Sequence, residues 1–182
     1  MPADFVDVRR FCPDIRIELR YASRKNIFHQ SIYVLGARCL LRKTVAERLK
    51  QVQKRVSQRG LALKIWDAYR PLFAQSALWK ICPDSRFVAP PSRGSMHNRG
   101  VAVDVTLVDA NGRELEMPCD FDNFSNLARS DSKLGSAAAR KNRDMLQNAM
   151  TDSGFVPYKN EWWHFHDPEW RNYRKANRSL RR

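Results

Sequence analysis

An apolar run from Val101 to Val108, entered through a polar stretch that begins at Ser95, constrains this chain more than any other feature. Strand side chains alternate between two faces, and Val101, Val103 and Val105 recur at alternate positions, so the pattern predicts a strand. Asp104 falls on the face opposite these valines. Its neighbour on that face, Ala102, is small and leaves room for a bound group beside the carboxylate.

A histidine stands just before this strand. His97 is separated from the strand by Gly100, and glycine tolerates backbone conformations that permit a sharp bend. Such a bend brings His97 back toward Asp104. One imidazole and one carboxylate make half of a metal site, so we expect another part of the chain to supply the rest.

The second group of candidate ligands lies in the segment Glu161-Trp162-Trp163-His164-Phe165-His166. His164 supplies a second imidazole, and two histidines with one carboxylate form a typical catalytic zinc set that leaves the fourth position open. Glu161 is close enough in sequence to act as a general base. His166 shares strand parity with His164 and is the alternative ligand.

The spacing of Glu161 poses a geometric problem. Glu161 and His164 are three positions apart, so they face opposite sides of an ideal strand. Both can serve one metal only if Glu161 lies just before the strand or at a bulge. The turn-prone pair Lys159-Asn160, directly before Glu161, favours such a break.

Arg70 follows a predicted strand, Leu61 to Trp66, and directly precedes Pro71. A residue before proline favours extended geometry, and a proline is tolerated in the first turn of a helix. Arg70 therefore lies between a strand end and a helix start, where it can project into a cleft. A structural ion pair with Asp67 is the alternative, and the local sequence favours neither.

Other segments complete a mixed pattern of helices and strands. Thr44 to Gln58 predicts a helix, with an apolar stripe at helical spacing and Thr44 as its capping residue. Ala137 to Ser153 predicts another helix. Alternation over Ile15 to Leu19 predicts a strand, and Asp109 to Gly112 predicts a hairpin turn after the central strand.

The length of 182 residues predicts one domain, 1–170, followed by a basic tail, 171–182, that is rich in Lys and Arg and is expected to be solvated. A net charge of +14 predicts attraction to anionic surfaces. The basic residues are otherwise scattered, so they indicate no specific nucleic-acid partner. No apolar run approaches the ~18 residues of a membrane span, and nothing in the pattern indicates an oligomeric state.

Two features favour a reducing compartment. The N-terminal sequence lacks a basic region followed by an apolar one, so we expect a cytoplasmic protein, with the periplasm as the alternative if a signal peptide has been removed. The cysteines are widely spaced and form no C-x-x-C pair, which disfavours a cysteine zinc site and favours free thiols over two disulfides. They are Cys12, Cys39, Cys82 and Cys119.

Taken together, these motifs resemble those of a known family, the VanX-type zinc D-alanyl-D-alanine dipeptidases, which share a fold with the hedgehog signalling domain. The main signature is Ser95-x-His97-x-x-Gly100-x-Ala102-x-Asp104, followed by Glu161-x-Trp163-His164. Two further segments resemble the Tyr-Ala-Thr-x-x-Asn-Phe and Trp-Asp-x-Tyr-Arg-Pro segments of the family. They are Tyr21-Ala22-Ser23-x-x-Asn26-Ile27-Phe28 and Trp66-Asp67-Ala68-Tyr69-Arg70-Pro71.

The resemblance implies an α+β fold, with a small central antiparallel sheet flanked by helices, and a hydrolase of peptidoglycan metabolism that cleaves the dipeptide D-alanyl-D-alanine. It implies one zinc ion per chain, bound by His97, Asp104 and His164. Glu161 would be the catalytic base and Arg70 would stabilise the transition state. Ser95 and Asp122 would hold the termini of the substrate.

The match at Asp122 is weaker. The family usually shows Met-Gly-Thr-x-Phe-Asp, whereas this chain has Met117-Pro118-Cys119-Asp120-Phe121-Asp122. The differences at Pro118 and Cys119 affect the expected shape of that wall and therefore the fine substrate preference.

Two other functions stay open. One is a D,D- or L,D-carboxypeptidase or endopeptidase acting on longer wall peptides, which would need an open cleft. The other is a non-catalytic module that keeps a structural zinc ion and binds an anionic polymer. Glu161 and Arg70 argue against the second, because a structural site needs neither a base nor an oxyanion donor.

Overall fold

The computed structural model describes residues 5–85 and 87–181, so the prediction made from the extreme N-terminus falls largely outside the described residues. The helices are α1 (Val8–Phe11), α2 (Lys43–Ser57), α3 (Leu72–Ile81) and α4 (Ala137–Thr151). The strands are β1 (Phe5–Asp7), β2 (Arg16–Ile17), β3 (Leu40–Arg42), β4 (Ala62–Asp67), β5 (Ala102–Val108), β6 (Val156–Tyr158) and β7 (Glu161–His166).

Five strands form one sheet in the order β2-β4-β5-β7-β6. The pairs β4–β5, β5–β7 and β6–β7 are antiparallel, and only the short β2 runs parallel to its neighbour. A separate antiparallel pair joins β1 to β3. The predicted α+β class, with a central and largely antiparallel sheet beside helices, is confirmed.

The core lies around β5, whose seven residues are all buried. Helix α2 covers the sheet with the predicted apolar stripe of Val45, Leu49, Val52 and Val56, all of them buried. Helix α4 packs beside α2 and adds Leu146 and Met150. Each fully buried side chain of this size contributes roughly 1.5–3 kcal/mol through apolar burial, so the central strand is held rigidly in place.

The predicted cap of α2 is wrong. The helix begins at Lys43, and its N-cap, Arg42, makes no side-chain capping bond. The reason is that β3 ends at Arg42 and leads directly into the helix, so strand pairing with β1 directs the chain. The Thr44 hydroxyl lies 3.2 Å from that of Tyr173 instead.

Most described residues of the C-terminal tail are exposed, as expected, but its backbone is bonded to the rest of the domain. Residues 173–181, which we call the C-terminal strap, run across the domain. The Ala176 N–H donates to the Asn98 carbonyl at 2.8 Å, and the Leu180 carbonyl accepts from the Arg38 N–H at 2.9 Å. Leu180 is buried in the core. Charge composition could not reveal this single apolar anchor; the boundary at residue 170 stays a prediction.

Two further sequence expectations can be compared with the described residues. No helix among them is long and apolar enough to cross a membrane. The four cysteines are free, with two of them buried and two partly exposed.

Candidate metal centre and active-site cavity

The three predicted ligands lie together. Strands β5 and β7 pair so that Asp104 stands opposite His164. His97 opens a 3₁₀ turn that ends at Gly100, whose φ of 71° gives the predicted bend before β5. The Nε2 atom of His97 lies 3.3 Å from Oδ2 of Asp104 and 3.1 Å from Nδ1 of His164. Nδ1 of His164 lies 3.0 Å from Oδ1 of Asp104.

The donor set fits a divalent metal ion. Tetrahedral zinc with bonds of ~2.0–2.1 Å holds its ligand atoms roughly 3.3 Å apart, close to the spacing of these three side chains. All three are buried. Nδ1 of His97 lies 2.7 Å from the Ala68 carbonyl. That contact favours a proton on Nδ1, so Nε2 presents its lone pair toward the other two ligands.

The electrostatics of the triad also favour a cation. Burial alone would raise the pKa of Asp104, but the neighbouring His97 and His164 outweigh burial and hold that pKa well below its usual range. Burial lowers the pKa of His97, yet Asp104 more than compensates and raises it. A buried ionised carboxylate needs a compensating positive charge, which either a protonated imidazole or a metal ion bound by the three side chains can supply.

Glu161 lies beside the triad, with its Oε2 3.8 Å from Nδ1 of His164. The pairing of β6 with β7 explains how. Tyr158 stands opposite Glu161 while Pro157 stands opposite Phe165, so β7 carries extra residues between these two positions. This irregularity is the predicted break in strand parity. Burial, with the charges of Asp104 and Asp122, raises the pKa of Glu161 to about 7 against the opposing effect of His164.

Arg70 satisfies both interpretations of its position. Its guanidinium donates from Nε and Nη2 to Oδ2 of Asp67, at 3.0 and 2.7 Å, so the ion pair is present. Nη1 donates to Oε1 of Gln75 at 3.1 Å. A guanidinium carries five N–H groups, and these bonds to described residues use three of them. Two N–H groups are therefore left to donate to a ligand. Arg70 also lines the cavity that contains the triad.

Two residues that sequence reasoning did not assign to the site hold Arg70 in place. Asp67 is fully buried and accepts from the Tyr33 hydroxyl at 2.6 Å as well as from Arg70. Gln75 is also fully buried, and its Nε2 donates to the Ala89 carbonyl at 2.7 Å. The sequence contains a sign of this role for Gln75. It lies on the same helix face as the apolar Leu78, and a polar residue on a buried face needs hydrogen-bond partners.

The two predicted substrate-binding residues border the same cavity. The Ser95 hydroxyl accepts from the His97 N–H at 3.0 Å and keeps its own proton to donate. Asp122 has a φ of 57° and is buried. The Tyr21 hydroxyl donates to its Oδ2 at 2.8 Å. Burial, reinforced by the charge of Asp104, raises the pKa of Asp122 to about 7.

The cavity has a volume of about 490 Å³. Its floor holds the triad, Glu161 and Arg70, while aromatic side chains form part of its wall. Phe87 and Phe124 stack there with their ring centroids 4.1 Å apart. A ligand in this space therefore meets one polar end with titratable groups and one apolar wall.

The alternative ligand His166 lies outside the cluster. Its ring centroid is 5.8 Å from that of His164, and its side chain does not belong to the group of converging ligand atoms. Burial, with the nearby His164 and His97, lowers its pKa to about 4. His166 therefore packs as a neutral imidazole behind the site.

A buried His/Asp/His triad, a carboxylate of raised pKa and a fixed guanidinium in one cavity define a metal-dependent hydrolase. Comparison with known proteins narrows the class. The family model of peptidase M15, described as D-ala-D-ala dipeptidase, matches residues 1–178 and so extends into the strap. The chain belongs to this family of metal-dependent peptidases.

Individual relatives agree with the family match. A D-alanyl-D-alanine dipeptidase of Escherichia coli (strain K12) is 41% identical over 170 residues, which cover 93% of this chain and 88% of the relative. One from Streptomyces coelicolor (strain ATCC BAA-471 / A3(2) / M145) is 28% identical over 185 residues, covering 91% and 92%. A solved structure of the LdcB LD-carboxypeptidase aligns with a TM-score of 0.54 at 19% identity. It covers 94% of this chain and 72% of that one, and it supports the hedgehog/DD-peptidase-like fold.

Proposed function

We propose that this protein hydrolyses D-alanyl-D-alanine to two molecules of D-alanine, with one zinc ion bound by His97, Asp104 and His164. One observation supports this most directly: the triad shares a single cavity with Glu161 and Arg70 in a member of the dipeptidase family. A zinc ion bound there supplies Lewis-acid chemistry for the scissile carbonyl and the attacking water.

Glu161 is the proposed base. A carboxyl group with a pKa of about 7 is matched to proton transfer near neutral pH. Its carboxylate lies beside His164, at the edge of the triad. Glu161 takes a proton from the attacking water and then donates it to the leaving amine of the second residue.

Arg70 is the proposed oxyanion donor. Asp67 and Gln75 fix its guanidinium before substrate arrives, so no reorganisation is needed when negative charge develops on the carbonyl oxygen. A preorganised donor of this kind typically contributes ~3–4 kcal/mol to transition-state stabilisation. Its two remaining N–H groups are the ones assigned to this task.

The termini of a zwitterionic dipeptide have matching partners. Asp122, oriented by the Tyr21 hydroxyl, is the proposed partner of the substrate ammonium group. A positive group beside Asp122 would lower its pKa and favour the ionised form. Ser95 keeps a hydroxyl proton that can be donated to the substrate carboxylate.

The two other functions considered from sequence are not favoured. Asp122, a buried acid on the cavity wall, suits the free ammonium group of a dipeptide, which lies next to the scissile bond only in so short a substrate. A purely structural zinc module does not require Glu161 or the Asp67–Arg70 pair. The match to a dipeptidase family agrees with both arguments.

A substrate panel tests the proposal. The zinc-loaded protein is incubated with D-alanyl-D-alanine, L-alanyl-L-alanine and a wall pentapeptide, and release of free amine is measured. We expect release from the D,D-dipeptide alone. Preferential cleavage of the pentapeptide would identify a carboxypeptidase or endopeptidase, and release from none would favour the binding module.

We also propose that the protein acts in the cytoplasm rather than the periplasm. The free thiols of the four cysteines support this, because disulfides persist in oxidising compartments. Fractionation of cells that make the protein tests the location. Recovery of the protein with periplasmic markers would contradict it.

A further inference from the structure

Asn98, the residue that follows ligand His97, joins two other parts of the proposed site. Its Oδ1 accepts from the Ser95 N–H at 2.7 Å, and its Nδ2 donates to the Arg70 carbonyl at 2.7 Å. The Arg70 N–H in turn donates to the His97 carbonyl at 3.1 Å. Asn98 is fully buried. One amide group therefore fixes the turn that carries Ser95 and His97 against the end of β4.

Only an amide fits this position. The Ser95 N–H requires an acceptor and the Arg70 carbonyl requires a donor, and a carboxamide supplies one of each. Loss of the side chain would leave both backbone groups unpaired in the interior, which is costly. Neither bond involves the metal or the substrate, so sequence reasoning from ligands did not single out Asn98.

The C-terminal strap holds Asn98 from the opposite side. The Ala176 N–H donates to the Asn98 carbonyl at 2.8 Å. Nζ of Lys175 donates to the carbonyls of Ser92 and Arg93, at 3.1 and 3.4 Å. The strap therefore bonds to the loop just before the site turn and to the turn itself.

Gly94 shows how closely these parts meet. It has a φ of +68°, and a Cβ atom at this position would lie 2.6 Å from Cδ of Lys175 and 3.1 Å from Oδ1 of Asn98. A side chain at Gly94 would therefore require Lys175 to move and would crowd Asn98. The strap is also anchored at its far end, because Leu180 is buried.

We propose that Asn98 is a positioning residue, held by the C-terminal strap, that keeps His97, Ser95 and Arg70 in one fixed arrangement. The effect of Asn98 on catalysis rests on the function proposed above, whereas its effect on the position of His97 does not. Partners of this kind typically change metal affinity or activity by roughly 10- to 100-fold when they are mutated. A displacement of the turn would move a ligand, a substrate donor and the oxyanion donor together.

The test compares Asn98→Ala with Asn142→Ala. The control residue also donates from its amide to a backbone carbonyl, that of Glu116 at 3.0 Å, and neither residue lines the cavity. Zinc affinity is measured by competition with a chelator, kcat and KM with D-alanyl-D-alanine, and unfolding by heat. We expect Asn98→Ala to lose about 10- to 100-fold in zinc affinity and in kcat/KM, with Asn142→Ala close to wild type.

A second pair addresses the strap. Ala176→Pro removes the N–H that bonds to Asn98, whereas Ala176→Gly keeps it. The loss of one hydrogen bond corresponds to about a two- to tenfold weaker zinc affinity in the proline variant alone. If Asn98→Ala does not fold, this pair still tests whether a bond that holds Asn98 affects zinc affinity.

Two results would overturn the inference. One is equal zinc affinity in Asn98→Ala and Asn142→Ala, even with a lower melting temperature, since a purely structural role predicts that outcome. The other, for the strap, is equal affinity in the two Ala176 variants. Absence of hydrolysis by the wild-type protein would reject the proposed function instead, while the zinc measurements would still decide the role of Asn98.

Discussion

Arg70 donates two hydrogen bonds to a single carboxylate oxygen of Asp67, from Nε at 3.0 Å and from Nη2 at 2.7 Å. The other oxygen of Asp67 accepts from the Tyr33 hydroxyl and from the Ala68 N–H. Asp67 is wholly buried, and its charge raises the pKa of Arg70 well above the usual range despite the opposing effect of burial. The pair therefore fixes a positive charge, in one orientation, at the cavity wall.

Asp67→Asn removes the charge that compensates Arg70. Removing one partner of a buried ion pair costs about 3–5 kcal/mol, and we expect a loss of this order in the free energy of unfolding, measured with urea. The kcat should also fall, because the guanidinium loses its fixed orientation. Asp131→Asn is the control, since the exposed Arg129–Asp131 pair contributes only about 0–1 kcal/mol. Equal losses in the two variants would argue against this role for Asp67.

The convergence of the three proposed metal ligands could be predicted because each belongs to a local sequence pattern with one geometric consequence. Alternation along Val101 to Val108 gave the face of Asp104, and Gly100 gave the bend before it. The pairing of β5 with β7, which brings Asp104 opposite His164, is seen only in the structure. The spacing of Glu161 and His164 also predicted an irregularity in the strand near Glu161. Its position is seen only in the pairing of β6 with β7.

The rest depends on contacts between distant segments. The ion pair with Asp67 was one of the two interpretations of Arg70, but Gln75 can be recognised as a support only when Arg70 meets the first turns of α3. The tail of residues 171–182 was expected to be solvated because it has six basic residues and one leucine; most of it is exposed, but Leu180 is buried in the core. The cap predicted at Thr44 failed for a similar reason, since pairing of β3 fixes the start of α2.

Glu161→Gln should separate catalysis from metal binding. The amide cannot accept the proton of water, and loss of a general base typically costs about 10²- to 10⁴-fold in rate. Zinc content after dialysis should stay at one ion per chain, because Glu161 is not among the converging ligand atoms. Glu169→Gln, an exposed position nearby, is the control. Loss of zinc together with activity would instead make Glu161 a ligand.

The two histidines of β7 should differ in metal binding. His164→Ala removes a ligand atom of the triad, whereas His166→Ala leaves all three in place. We expect zinc binding to be lost in the first variant and kept in the second, as measured by metal content. Zinc at 100 times its Kd stabilises a protein by ~2.7 kcal/mol, so the rise in melting temperature on adding zinc should also disappear only in His164→Ala. Retention of zinc by His164→Ala would contradict the proposed ligand set.

Asp122→Asn should make the zinc-free protein more stable at alkaline pH while weakening substrate binding. The folded protein keeps the Asp122 proton up to a pKa of about 7, mainly because of burial, whereas the carboxyl group of an aspartate in the unfolded chain has its ordinary pKa of 3.8. The folded state therefore binds more protons over this window, and its stability falls as pH rises from about 4 to 7.

The amide of Asp122→Asn has no proton to lose, and it still accepts from the Tyr21 hydroxyl. We expect the free energy of unfolding of Asp122→Asn to exceed that of wild type at pH 8 by at least about 1 kcal/mol, and the difference to vanish near pH 4. The KM for D-alanyl-D-alanine should rise in the zinc-loaded variant, because the ammonium group loses its anionic partner. An equal stability difference at both pH values would show that Asp122 is ionised throughout.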